Sequence, residues 1–332
     1  MSVRNLVGRM IPGDLKYYMY SLNYYWEDIR RYKKYSNGYL SPNKEKILLG
    51  KIIVTYHIIE KGLTMPDMRP GFGKDALHTL IGLCHTYIGK QCNQQDDHFT
   101  HAVKLLNEYV RVHKALQFSL DPLLLEKIKA LSERTKVMDT CSQLGCDNDE
   151  YFRHADSPFR DFAFSRHSIR NFINKPVDRE LILKAVEIAQ KSPSSCNRQP
   201  NRVYILENRE NIQWLLESQK GNRGFGQMID KVIVLTAEVG VFNGFTERNE
   251  AFLNSGMYAM SLLYGLHYYR IGAVSLAYVR VSREDDKKLR ALCGIPDSEV
   301  VSMLIGCGHV PGKLSIASSP RYKVDKIVKV VS

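Results

Sequence analysis

The pattern of hydrophobic and polar positions divides the chain into two parts. Up to about residue 150, apolar positions recur at helical spacing, with no alternating β-branched run among them. Tyr18, Leu22, Tyr25, Ile29 and Tyr32 follow alternating spacings of four and three. This sets five large side chains on one helical stripe, flanked by Arg30, Arg31, Lys33 and Lys34. Such a stripe needs a partner surface, either within its own domain or, for a basic aromatic helix, at a membrane face. Further helices are predicted from His98 to Leu116 and from Asp121 to about Arg134, where Asp121 is an N-cap and Pro122 takes the first helical position. The segment His57 to Asp75 combines His57, Glu60 and Lys61 with a Pro- and Gly-punctuated loop bearing Arg69 and Lys74. That composition suits plain turn architecture first, and charged side chains beside glycine-rich backbone also suit an anionic ligand.

From 141 to 160 the pattern becomes polar and irregular, as expected of a linker. Beyond it the periodicity changes. Asp178 caps a predicted helix with Ile182, Ala185, Val186 and Ala189 on one face and Pro193 past its end. Residues 202–207 and 231–238 are predicted strands, rich in β-branched side chains. Residues 251–269 form a helix apolar nearly all round, which implies burial on several sides, and Gly256 and Gly265 would admit a close neighbour. A strand at 273–279 follows, then a helix between Ser282 as N-cap and Gly294 past its end, a strand at 299–310 and a last short strand at 326–331. The strands neither alternate with helices as regular βαβ units nor lead into a dinucleotide fingerprint. GNRGFG at 221–226 has the wrong spacing for one, and no Walker loop appears. The expected class is therefore α+β over 161–332, preceded by an all-helical region over 1–140.

Composition narrows the possibilities only in part. With 332 residues, 44% hydrophobic and 25% charged, the chain has the material for two domains with sizeable cores. The most apolar run, ILLGKIIVTYHII, is interrupted by Lys51 and is too short to span a membrane, and the first residues show no secretory h-region. A cytoplasmic protein is expected. Seven cysteines make no small disulfide framework, and Cys84, His85, Cys92, His98 and His101 lack the ligand spacing of a zinc site. The net charge of +12 favours anionic partners such as nucleic acid, anionic lipid or a phosphorylated cofactor. A basic nucleic-acid or acidic-partner module resting on the Tyr/Arg/Lys-rich stretch from Tyr17 to Tyr39 stays open, although it has no module signature.

The chemistry concentrates at two places. SRHSIRNF, 165–172, packs three basic side chains and serine hydroxyls into eight residues, and guanidinium forks match phosphate oxygens. Downstream, SPSSCNRQP at 192–200 presents Asn197 and Gln199, whose amides can donate and accept at the edge of a planar heterocycle or simply cap a turn. Together the two stretches resemble the FMN-dependent nitroreductase family, in which a segment of the type SxRSxRxF is followed after a helix by SPSxxNxQPW. The helix and turn of 249–279 and the tail SSPRYKVDKIVKVV extend the resemblance over about residues 160–332.

The resemblance implies a mixed or antiparallel sheet flanked by helices and an FMN site. It implies that Arg166, His167, Ser168 and Arg170 hold the phosphate and ribityl chain, and that Arg321 reaches the phosphate. Pro193, Ser194, Ser195, Asn197 and Gln199 would line the isoalloxazine or ribityl side, with Ser275 and Leu276 touching the flavin from the turn. It further implies a homodimer with flavin sites at the interface and ping-pong transfer from NADH or NADPH to a small acceptor such as a nitro compound or quinone. The flavin brings the redox chemistry, so no catalytic side chain and no metal is expected. A flavin-binding sensor or a specialised enzyme on the same fold is the alternative. Two departures are visible: Asn201 stands where the family has an aromatic residue, and the stretch between Tyr204 and Lys231 is short.

Overall fold

A computed structural model describes residues 44–141, 144–242, 244–278 and 281–331, together with Pro12 and residues 14–19, 21, 22, 25 and 26. Of the aromatic stripe, Tyr18, Leu22 and Tyr25 lie on helical backbone and are exposed. Ile29 and Tyr32, with their basic neighbours, fall outside the described residues.

Among the described residues from Lys44 onward, four helices build the N-terminal unit: α1 (Lys44–Leu63), α2 (Lys74–Gly89), α3 (Asp97–Ala115) and α4 (Pro122–Thr135). Asp96 starts α3 by accepting from the N–H groups of His98 and Phe99, and Asp121 starts α4 by accepting from Leu123. Their inward faces share one core, in which Ile52, Ile59, Leu77, Leu80, Tyr87, Phe99, Leu105 and Tyr109 are fully buried. Within the stretch from His57, α1 runs on to Leu63 and the loop begins only at Thr64. No proline or glycine interrupts Lys51–Lys61, so nothing stops the helix before Gly62. His57 and Glu60 thereby sit one turn apart on the same helix.

The second unit is α+β. Four strands pair antiparallel in the order β2 (Asn201–Leu206), β3 (Lys231–Glu238), β5 (Glu299–Gly308) and β4 (Gly272–Ala277). Central β3 is buried along seven of its eight residues and alternates its side chains between two cores. Ile233 and Leu235 pack with helices α7 (Arg179–Ala189) and α9 (Glu250–Tyr268), while Val232 and Val234 pack with α8 (Arg209–Gln219) and α10 (Arg283–Cys293). Gly265 is what lets α7 and α9 meet: a Cβ there would lie 2.9 Å from the Cα and carbonyl oxygen of Ala185. Gly256 has no such role, since nothing lies within 4 Å of its would-be Cβ.

The stretch expected to be a connector carries β1 (Leu144–Asp147), α5 (Asn148–Phe152) and the start of α6 (Phe159–Ser165). β1 pairs antiparallel with β6 (Lys313–Ile316), from Leu144 opposite Ile316 to Asp147 opposite Lys313. A strand whose only partner is some 170 residues away leaves no local signal. The last predicted strand is corrected: Val324–Ile327 form a helical turn, α11, and 328–331 belong to no element. The β-branched composition of that tail is real, but no strand edge pairs with it among the described residues.

Candidate functional site

Helix α6 ends at Ser165, and the chain leaves in extended conformation, with Arg166 at φ −73° and ψ 124°. The Ile169 N–H donates to the Ala273 carbonyl of edge strand β4 at 3.0 Å, and Ile169 is buried in the core. In extended backbone, neighbours of an inward residue turn the other way, so anchoring Ile169 presents Ser168 and Arg170 to the opposite side. There they meet a cavity of about 330 Å³ lined by Arg166, His167, Ser168 and Arg170, by Ala317, Ser319, Pro320 and Arg321, and by Ile53, Tyr56, His57, Glu60 and His98 of the N-terminal unit.

The cavity is electropositive. Arg166, Arg170 and Arg321 face it, and the Nε of Arg166 is buried without a hydrogen-bond partner. Burial, with the charges of Arg166 and Arg321, pushes His167 below its ordinary value. Burial likewise lowers Arg170, opposed by the carboxylate of Glu60. Burial also lowers His98, which lies 2.7 Å from Tyr56 Oη through its Nδ1. An orphaned guanidinium N–H among three arginines fits an anionic, planar-donor-seeking group such as a phosphate monoester.

Among the described residues that line this wall, Glu60 is the one carboxylate, and it is 0% exposed. Its Oε1 accepts from the Ser319 N–H at 2.8 Å and from Ser318 Oγ at 3.0 Å. Its Oε2 lies 2.9 Å from His57 Nδ1, and His101 Nε2 stands 3.3 Å from Oε1. Burial alone would raise its pKa, but interactions with His101, His57 and the Ser319 N–H outweigh that and hold it well below the usual carboxylate range.

The other residues singled out in the sequence occupy a different part of the surface. Ser194, Ser195, Asn197 and Gln199 form a turn against the N-terminal end of α9. There the Ser195 N–H donates to Asn254 Oδ1 at 2.9 Å, Ser195 Oγ donates to Glu250, and the Gln199 N–H donates to Ser194 Oγ at 3.0 Å. Cys196, Asn197 and Gln199 hold left-handed backbone, with φ of 52°, 55° and 47°, and Arg198 fixes the turn through a two-pronged pair to Glu247. Pro193, Asn197 and Gln199 are exposed. Ser275 and Leu276 lie on β4 rather than in the turn that follows α9. Ser275 is exposed two residues beyond the carbonyl that anchors Ile169, whereas Leu276 is buried in the core opposite Leu304. Asn201 bonds Ser255 Oγ of α9 at 2.9 Å, a packing role in place of an aromatic wall.

Sequence reasoning left Tyr56, His57, Glu60 and His98 without a place in this site. The spacing of His57 and Glu60 was a usable signal once the helix was extended through them, whereas only the fold brings His98 and the 318–321 segment alongside. Among the described residues no His, Cys, Asp and Glu cluster suits a metal ion, and no helix is long and apolar enough to cross a membrane.

Residues 163–309 match the nitroreductase family. Similar solved structures include a nitroreductase family protein from Streptococcus pneumoniae (22% identity, 52% of this chain and 100% of that one, TM-score 0.44). A nitroreductase-like protein from Streptococcus mutans has 17% identity over 52% of this chain and 98% of that one, with a TM-score of 0.45. A protein from Desulfovibrio desulfuricans solved in complex with FMN has 18% identity over 53% and 98%, with a TM-score of 0.44. No curated protein matches the chain.

Proposed function

From a chain whose residues 163–309 form a nitroreductase-family domain, we propose an FMN-dependent oxidoreductase that passes electrons from NADH or NADPH to a small organic acceptor, such as a nitro compound or a quinone. The observation that carries this reading is the cavity where Arg166, Arg170 and Arg321 converge beside an unpartnered buried Arg166 Nε. FMN, held there by Arg166, His167, Ser168, Arg170 and Arg321, would supply two-electron carrier chemistry between the donor and the acceptor in ping-pong order.

The chain's own residues bind and orient. The three guanidiniums take the phosphate, each charge-assisted bond contributing about 1.5–3 kcal/mol before entropy losses. His167, kept neutral by burial and its cationic neighbours, can donate one ring N–H without adding charge. Ser168 completes the donor set. The turn at 194–199, with its exposed amides and left-handed backbone, is assigned to the ribityl or ring side, and Ser275 to the ring edge. A second copy of the chain completes the site. In support, α9 leaves Phe252, Leu253 and Met257 exposed along one face next to that turn, an apolar surface that a twofold contact would cover.

The test is a titration of apoprotein with FMN, followed by flavin fluorescence, and then NADPH consumption with a quinone. Saturable quenching with quinone-dependent turnover is expected. A folded protein that leaves FMN fluorescence unchanged contradicts the proposal.

A further inference from the structure

The residues after β6 cross onto the N-terminal helices at three successive points. Ser318 and Ser319 donate to Glu60 of α1, the ring of Tyr322 sits edge-on to His98 of α3 at 4.1 Å, and Lys323 Nζ lies 3.9 Å from Asp97. Between the first and second contacts stands Arg321, whose guanidinium lines the arginine cavity and bonds back to the carbonyl of Ser319. Ser319 itself holds φ 40°, a left-handed backbone that a serine adopts at a cost and keeps only where its surroundings fix it. The Ser319 N–H on Glu60 Oε1 is what fixes it here.

We propose that Glu60 is a positioning residue of the phosphate site: by holding Ser318 and Ser319 it aims Arg321, so that the N-terminal helical unit is a working wall of the cofactor cavity. This rests on the flavin reading above and assigns a role to residues that lie outside the family match at 163–309. A carboxylate beside a phosphate would by its charge alone weaken binding. Glu60 earns its place through reach, since its oxygens span from α1 to the tail with both ends bonded.

Charge and reach are separable by substitution. Glu60→Gln keeps the length and an oxygen for the Ser319 N–H but removes the charge. Glu60→Asp keeps the charge but withdraws it by one methylene from Ser318 and Ser319. Positioning predicts that the Kd for FMN rises about tenfold in the Asp variant and stays within about threefold in the Gln variant. The Kd for riboflavin, which has no phosphate for Arg321 to meet, changes less than about twofold in both. In an Arg321→Ala background the Asp substitution then adds little further loss, because its effect runs through that side chain.

Equal loss of FMN and riboflavin affinity in the Asp variant would mean only a damaged fold. Tighter FMN binding in the Gln variant with none lost in the Asp variant would mean a charge and no positioning. Either result overturns the inference while leaving the flavin reading intact. Absence of FMN binding in the unsubstituted protein would instead overturn the flavin reading, and the role of Glu60 with it.

Discussion

At the scale of single residues, binding in the cavity depends on which groups keep their charge. Arg166→Ala and Arg321→Ala should each weaken FMN binding by about 10- to 100-fold, matching the loss of one charge-assisted phosphate contact. The substituted proteins should come off dialysis pale, and full retention of yellow colour in either would remove that arginine from the site. His267 gives an independent prediction. It is 1% exposed, its Nε2 lies 2.9 Å from Ser165 Oγ, and burial, with Arg166 and His167 nearby, lowers its pKa to about 4. A histidine lowered in the folded state binds its proton more readily when unfolded, so stability falls as pH drops through the window from about 6.5 to about 4. Below that window the loss amounts to roughly 3 kcal/mol. Urea midpoints measured from pH 7 to pH 4 should show the decline, and His267→Phe should make it shallower, with His167 and His98, also lowered by burial, keeping part of it.

At the scale of elements, the close approach of α7 and α9 is the most sensitive joint. Gly265→Ala adds helix propensity worth about 1 kcal/mol, but its methyl would meet Ala185 backbone at 2.9 Å, where overpacking costs about 1–3 kcal/mol. Net destabilisation by chemical denaturation is expected, and an unchanged or higher midpoint would show that the helices can part without cost. Much of this architecture was legible in the sequence because its signals are local. Asp121, Asp178 and Ser282 cap the helices they were expected to cap, Gly294 ends α10 in the left-handed conformation at φ 67°, and the β-branched runs became β2, β3 and β5. What was missed depends on distant partners. β1 exists because β6 lies beside it, and the tail at 326–331 is not a strand because no edge among the described residues receives it. The arginine cluster was visible as a motif, but the carboxylate facing it was not, since Glu60 and Ser319 are joined only in the folded chain.

At the scale of the whole molecule, the two units share one cavity, and under the proposed function the exposed apolar face of α9 is assigned to a contact with a second copy. Light scattering should give the mass of a dimer. Leu253→Glu, which places a charge in the middle of the Phe252, Leu253 and Met257 face, should halve it and lower FMN occupancy. A monomeric mass for the unsubstituted protein would place the turn at 194–199 outside any complete site. Among the described residues, Arg166, Arg170 and Arg321 converge on one cavity, a placement that suits a small phosphorylated ligand. The central claim is most directly tested by the visible spectrum of the purified protein, recorded before and after anaerobic addition of NADPH and of NADH. Flavin absorption in the visible that bleaches with at least one of the two is predicted. A folded, colourless protein that takes up no FMN when it is supplied would contradict the account.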